Sequence, residues 1–568
     1  MIPLVGFVDK LRWHLNRLQN KYTQYRLSTN ETAVADTEYG QVKGLKRRTH
    51  TDASYYSFEG IPYAKPPVGE LRFRAPQRPE PWTGVLNCLG PRDKSIQVHL
   101  ITKNVEGSED CLYLNVYTKD LKPTKPRPVM VWIHGGGFIS GEASRDWFGP
   151  DYLMEEDVIL VTVQYRLGVF GFLFMDSPEL NVPGNAALKD QILALRWVKS
   201  NIANFGGDPN CVTLFGQSAG SAAAHYLCIT EQTRGLFHRA ILMSGVALWP
   251  WAVQGPRKIG YPLALLAGYK GEDDEQQVLE YLMKCKAIEL TNKEPMLWTV
   301  EELKDNIRFP FVPCIEPYET VESVILKSPR ELMKTAWTNT IPLMVGGVSE
   351  EGVVMLPFIK QMPTLILKLE TCRNFVPAAV VDDEEIMKHG QKLKSIHVDG
   401  DAITTEHYID LKSYWLFYFP IHRTLLSRLN YAPKAPTYLY RFECYSEVIP
   451  YPYRTWCLGG RALKGACHGD ELPYLFWNAM SHRLPEGSPE HRTMQRMIGM
   501  WTHFAATGNP NNKELPGMES INWETIKEPV PSYKCMNIGE ELEIIDWPEM
   551  RKIKVWESTY DGNKELLY

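Results

Sequence analysis

The stretch Cys211-Val-Thr-Leu-Phe-Gly-Gln-Ser-Ala-Gly-Ser-Ala-Ala-Ala-His225 limits what this chain can fold into more than any other. Apolar and β-branched residues from Val212 to Phe215 predict a buried strand. Gly216-Gln-Ser-Ala-Gly220 predicts a sharp turn, and Ala222, Ala223 and Ala224 predict a helix directly after it. Strand, turn and helix with G-x-S-x-G at the turn is the setting that presents a serine for attack. Side chains at Gly216 or Gly220 would collide where strand and helix come close. The turn lifts the Ser218 hydroxyl clear of the sheet, and the helix N-terminus behind it favours developing negative charge.

A serine hydroxyl is a weak nucleophile near neutral pH, so Ser218 needs a base, and the base needs an orienting acid. In a strand–turn–helix setting the expected order is Ser, then Asp or Glu, then His. Among the downstream histidines, His468 stands in the small-residue loop Gly465-Ala-Cys-His-Gly-Asp-Glu471, after the strand expected at Thr437 to Phe442. Loops at the C-terminal ends of strands are where ligands meet an open α/β sheet. Glu350 and Glu351 follow the apolar run Ile341 to Val345 and both qualify by spacing, whereas Asp470 and Glu471 are too close to His468 to reach its other nitrogen. His134-Gly-Gly-Gly137, after the run Val129 to Ile133, supplies the flexible backbone of an oxyanion loop. The N–H groups of Gly136, Gly137 and Ala219 are its expected donors.

The other apolar runs extend this to the whole fold. Val158 to Tyr165 predicts a strand buried on both faces, and Leu188, Ile192, Leu195, Val198 and Ile202 mark a helix at period 3.6. Strands alternating with helices predict an α/β fold with a large, mostly parallel sheet and helices on both faces. Polar, helix-rich inserts are expected near 271–302 and 382–406. A length of 568 residues suggests roughly three or four domains. Yet there is no repeat and no linker, so residues 30–568 read as one large domain. Residues 1–29 read as a separate amphipathic helix. Val8, Leu11, Leu15, Leu18, Tyr22 and Tyr25 form its apolar stripe, with Lys10, Arg12, Arg17, Lys21 and Arg26 beside it. Such a helix either lies on a lipid or membrane surface through residues 1–28 or packs on its own domain.

With 44% hydrophobic and 23% charged residues and a net charge of −5, nothing suggests a nucleic-acid partner. Eleven cysteines argue against a disulfide framework. No C-x-x-C pair and no H-E-x-x-H points to a metal, and no cofactor is expected. The N-terminus lacks the pattern of a secretory signal, which predicts an intracellular, unsecreted protein, cytoplasmic or peripheral to an endomembrane.

Further motifs carry a resemblance. Phe205-Gly-Gly-Asp-Pro-Asn210, Ser108-Glu-Asp-Cys-Leu-Tyr-Leu-Asn-Val116, Gly60-Ile-Pro-Tyr-Ala64 and Trp501-Thr-His-Phe-Ala-Ala-Thr-Gly-Asn-Pro510 join the elbow and the glycine loop. Together they resemble the type-B carboxylesterase and cholinesterase family, and within it the insect alpha-esterases. The resemblance implies an α/β-hydrolase fold and a serine carboxylesterase acting on small to medium hydrophobic esters, lipid or xenobiotic, and trapped by organophosphates. It selects Glu351 as the acid of a Ser218–His468–Glu351 triad. It also implies structural ion pairs Arg72–Glu109 and Arg166–Asp190, and a counterpart of a family disulfide at Cys88 and Cys111. Trp251, Phe309 and Phe419 are implied on the acyl side of the pocket and Tyr453 near the alcohol side. Gln217 departs from the glutamate usual in cholinesterases and resembles juvenile hormone esterases, which makes that activity an alternative. A non-catalytic cholinesterase-like interaction protein is the alternative of another class.

Overall fold

The apolar runs assemble into one sheet of thirteen strands. We describe it from a computed structural model that covers residues 7–250, 258–297, 309–377, 382–449, 451–458, 464–529, 531–560 and 564–567. Helix α1 spans Phe7–Leu27, and three antiparallel strands follow, β1 (Ser28–Thr37), β2 (Gly40–Arg48) and β3 (Ser54–Pro62). A fourth strand, β4 (Tyr113–Thr118), is antiparallel to both its neighbours, and the parallel part uses β5 (Arg127–Ile133), β6 (Ile159–Val163), β7 (Gly207–Gln217), β8 (Arg239–Met243), β9 (Leu343–Val348), β10 (Thr437–Phe442) and β11 (Lys534–Ile538). Strand β12 (Leu542–Asp546) closes the edge, and the order is β1-β2-β3-β4-β6-β5-β7-β8-β9-β10-β11-β12. A short strand, Val85–Asn87, lies against β2. From β6 to β11 every pairing is parallel. This is the mostly parallel α/β-hydrolase sheet that the sequence predicts.

Strand alternation splits the core into two layers. In β5, Val129, Val131 and Ile133 pack on one face, while Met130 and Trp132 pack on the other. The first face is covered by helices α3 (Ala186–Asn201) and α4 (Ala219–Ile229), which contribute Leu188, Leu195 and Ala223. The short helix α2 (Gly168–Phe172) joins this layer. The second face is covered by α8 (Pro489–Thr507) through Met497, Trp501 and Phe504. Between them in the chain come α5 (Ala287–Lys293), α6 (Thr405–Ser413) and α7 (Pro452–Leu458), which carry residues of the cavity wall.

Both implied ion pairs are present, each as a two-toothed guanidinium–carboxylate contact. Arg166 Nε and Nη2 donate to Asp190 at 2.8 and 2.6 Å, and Arg72 Nε and Nη2 donate to Glu109 at 2.6 and 2.5 Å. Cys88 and Cys111 are free thiols, both buried, and burial pushes the Cys88 thiol up to about 12.

Helix α1 holds to the rest by a face other than its apolar stripe. Trp13 packs on Trp147 with ring centroids 5.1 Å apart, and Arg17 and Asn20 both donate to the Asp146 carboxylate, at 2.8 and 3.1 Å. Residues 13, 17 and 20 share one helix face. Leu11, Leu15, Leu18, Tyr22 and Tyr25 lie on another and are 47–77% exposed. The helix does pack on its own domain, one of the two expectations, but through this other face and not through the apolar stripe, of which the side chain of Val8 lies outside the described residues. No single helix among the described residues is long and apolar enough to cross a membrane.

Arg166 and Asp190 lie in the first layer, fully out of solvent. Asp190→Ala leaves the guanidinium buried and unpaired, which costs about 3–5 kcal/mol. A urea titration of wild type and variant checks this; an unchanged midpoint contradicts it.

Candidate active site

Four segments converge where the parallel strands end, the rim at which α/β sheets hold ligands. Strand β5 runs into His134–Gly137, β7 into Gln217 and Ser218, β9 into Ser349–Glu351, and the loop after α7 brings Gly465–Asp470. All four line or support one cavity of about 200 Å³.

Ser218 sits at the strand-to-helix turn with φ 58° and ψ −127°, a conformation that costs a non-glycine residue roughly 1–3 kcal/mol. Packing enforces it. A Cβ on Gly220 would stand 2.1 Å from the Ile133 carbonyl, so strand and helix approach only because residue 220 has no side chain. The Ser218 N–H donates to Met243 O at 2.9 Å, which ties the turn to β8. Ala219 opens α4, and its N–H is one of the donors that a helix N-terminus leaves unused.

The glycine loop bends beside it. Gly136 has φ 120°, and a Cβ there would lie 1.9 Å from Ser140 O. The Gly136 carbonyl is occupied by Ile139 and Ser140 N–H at 3.2 and 3.0 Å. His134 fixes the loop's start: its carbonyl accepts from Tyr165 Oη at 2.6 Å and its ring stacks on Tyr165 at 4.4 Å. Burial pulls the His134 imidazole down to about 4, so it is neutral at pH 7 and structural here.

The structure brings His468 and Glu351 together. His468 Nδ1 lies 2.6 Å from Glu351 Oε2, and Glu351 Oε1 accepts from Val348 N–H at 3.0 Å. Glu351 is fully buried. Glu350 turns the other way, among Asp410, Arg441, Glu443 and Glu549. Burial and the Asp410 charge push Glu350 up to about 7. Its backbone ties the two loops together, since Glu350 N–H donates to Ala466 O at 2.8 Å. Asp470, discounted from spacing, pairs with Arg454 and accepts from Cys467 N–H at 2.7 Å.

On the other ring nitrogen, Gln217 Nε2 lies 3.2 Å from His468 Nε2. An amide NH₂ only donates, so Nε2 accepts and the ring proton sits on Nδ1, facing Glu351. Sequence reasoning noted Gln217 only as a departure. Its position directly before the serine was the available signal.

The aromatic residues divide. Phe309 and Tyr453 line the cavity, with the Tyr453 ring 6.1 Å from that of His468. Trp251 lies outside the described residues. Phe419 does not reach the cavity: it packs into His422, Trp556 and Tyr560 on the far side. Phe417 is the residue on His468, with centroids 4.9 Å apart. Two residues apart on a helical segment, 417 and 419 point in nearly opposite directions.

With this geometry the class is defined: a serine hydrolase site on an α/β-hydrolase sheet. The chain belongs to the Carboxylesterase family, which matches over residues 31–556. It is 35% identical to Esterase B1 of Culex pipiens over 542 residues, covering 94% of this chain and 99% of that one. It is 35% identical to the juvenile hormone esterase of Tribolium castaneum over 530 residues, 86% of each chain. The crystal structure of juvenile hormone esterase from Manduca sexta, with OTFP covalently attached, superposes with a TM-score of 0.82 at 29% identity. It covers 94% of this chain and 100% of that one. The protein is a serine carboxylic-ester hydrolase. The expected intracellular, unsecreted address is not upheld: the likeness to the juvenile hormone esterases of Tribolium castaneum and Manduca sexta speaks against it.

The two neighbouring glutamates separate experimentally. Glu351→Gln removes the carboxylate that faces His468 Nδ1 and should lower kcat by roughly 10⁴-fold. Glu350→Gln replaces a carboxyl already near its neutral form and should stay within about threefold. Steady-state turnover of a chromogenic acetate ester measures both, and the reverse order assigns the acid to Glu350.

Proposed function

We propose that Ser218 attacks the ester carbonyl, His468 takes its proton and Glu351 holds and stabilises the resulting imidazolium. The developing oxyanion is received by the N–H groups of Gly136, Gly137 and Ala219. The alcohol leaves with the proton from His468, and water activated by the same ring then releases the acid. What carries this reading is the 2.6 Å contact of His468 with Glu351 in the cavity that Ser218 also lines. The apolar cavity suits small to medium hydrophobic esters, lipid or xenobiotic. Serine and histidine in one cavity, with a buried glutamate on the histidine, argue against a non-catalytic interaction protein. Gln217 at His468, together with the likeness to the Tribolium and Manduca enzymes, supports hydrolysis of juvenile hormone as a second reading. We read residues 30–568 as a single hydrolase domain to which α1 is appended.

An organophosphate should titrate the enzyme one to one. Attack on phosphorus places its oxygen among the same N–H donors, but the adduct is already tetrahedral and water must approach opposite the serine oxygen. His468 lies on the serine side and cannot direct that water, so the adduct persists. Intact-protein mass spectrometry should show one adduct on wild type and none on Ser218→Ala. An adduct of equal yield on the alanine variant removes Ser218 from this role.

The exposed stripe of α1 supports peripheral binding to an anionic lipid surface. Its residues face outward, and Lys21 and Arg26 are exposed on the same helix. Charge and apolar area act together in such contacts. Wild type should cosediment with vesicles containing phosphatidylserine, and Leu15→Glu with Leu18→Glu should abolish this without lowering the Tm. Wild type that stays in the supernatant refutes the lipid reading.

A further inference from the structure

Most of the cavity wall is apolar, yet two polar side chains are built into it beside the glycine loop. Thr291 on α5 and Glu294 just after it are three residues apart, so they share one face of the helical segment. Both line the cavity. Thr291 is 4% exposed, and its hydroxyl has no hydrogen-bond partner. A buried hydroxyl without a partner is costly, and such groups call for an explanation.

Glu294 is held rigidly. Its Oε1 accepts from Val169 N–H at 3.1 Å, in the first turn of α2. Its carboxyl lies flat on Gly168, where a Cβ would stand 2.3 Å from Oε2. Gly168 in turn donates its N–H to Phe138 O at 2.8 Å, next to Gly137 of the proposed oxyanion loop. Phe309 lies on the same side, 3.0 Å from where a Gly137 Cβ would be. Glu294 is thus tied through α2 to the loop that would bind the reacting carbonyl, and Thr291 stands one helical turn before it.

We propose that Thr291 and Glu294 form a hydrogen-bonding subsite for one uncharged oxygen function, an ether, carbonyl or hydroxyl, on the substrate chain away from the scissile ester. This deepens the esterase reading and rests on it. Burial, opposed only by the Val169 hydrogen bond, pushes the Glu294 carboxyl up to about 8. Near neutral pH it keeps its proton and can donate. The Thr291 hydroxyl donates or accepts as the ligand requires. A neutral acid paired with a hydroxyl suits an uncharged oxygen; the lysine that also lines the cavity, Lys412, stands over the rings of Phe375, Tyr408 and Trp415, and burial holds its ammonium well below the usual lysine range.

A helix-capping role alone would also place Glu294 against Val169, so the test must read substrate discrimination. Two series of chain-matched esters are needed, with one methylene replaced by an ether oxygen at successive positions of the acyl arm or of the alcohol arm. The readout is the ratio of kcat/KM for each ether to that for its all-carbon partner, which cancels any general loss of activity. Wild type should favour the ether over its all-carbon partner by roughly three- to tenfold at one position in one series, the worth of a neutral hydrogen bond. Thr291→Val, close in shape, should bring that ratio near one, and Glu294→Gln should retain part of it. A wild-type ratio of one or less at every position overturns the subsite. So does a ratio that Thr291→Val leaves unchanged, or a stronger preference for an ammonium in place of the ether. Absence of turnover on every ester would instead refute the esterase reading itself.

Discussion

The rest of the site depends on the close approach of β7 and α4 at Ser218. A strand that feeds a helix within one residue cannot do so through ordinary backbone angles, and Ser218 carries the strain at φ 58°. The cost of roughly 1–3 kcal/mol is offset by packing around it, because β7 is buried between the two layers of the core and α4 is buried in the first. Three consequences follow from that single turn. The serine side chain projects from the sheet rim, the Ala219 N–H stays unspent, and the Ile133 carbonyl at the end of β5 comes against Gly220. The glycine loop begins directly after Ile133, so the same contact that creates the turn also sets the distance from loop to serine.

The other half of the site is assembled by loop-to-loop backbone bonds. Glu350 and Cys467 form an isolated parallel bridge beyond the ends of β9 and β10, as if two strands had resumed pairing for one residue. Ala466 N–H donates to Ser349 Oγ at 2.9 Å and Ala466 O accepts from Glu350 N–H. The Arg454–Asp470 ion pair holds the far end of the same loop. Glu351 and His468 therefore meet because their neighbours are fixed, and neither side chain alone determines the geometry. This explains why residues 117 apart in sequence reach 2.6 Å although neither stands in a strand or an α-helix.

How much of this the sequence announced depends on how local each signal is. The elbow, the glycine loop and the strands β5, β6, β7, β9 and β10 were legible because period, β-branching and glycine spacing are properties of a few adjacent residues. The choice between Glu350 and Glu351 was open on spacing alone, since both follow β9; only the bridge to Cys467 decides which carboxyl turns toward His468. Phe419 was implied by the resemblance alone; Phe417, two positions earlier and so nearly opposite around the helix axis, is the residue on His468. Helix α1 was legible as amphipathic, but its apolar stripe was not the face that docks. The docking face is set by the buried Asp146 carboxylate, which takes both Arg17 and Asn20, and no periodicity in residues 7–27 encodes that partner.

Gln217 shows how a single polar residue reaches both the resting state and the reaction. By donating to His468 Nε2 it fixes the ring as the Nδ1–H tautomer, the form in which Nε2 can later accept a proton from serine. The same bond occupies the lone pair that Ser218 must use, so the amide has to yield before the proposed attack begins. An amide pays little for this, since a neutral hydrogen bond is worth only about 0.5–1.5 kcal/mol net. A carboxylate at position 217 could not donate to Nε2 and would instead favour the imidazolium, which cannot act as a base. Glutamine thus holds the imidazole in the tautomer that the proposed attack requires, which a carboxylate on that side could not do.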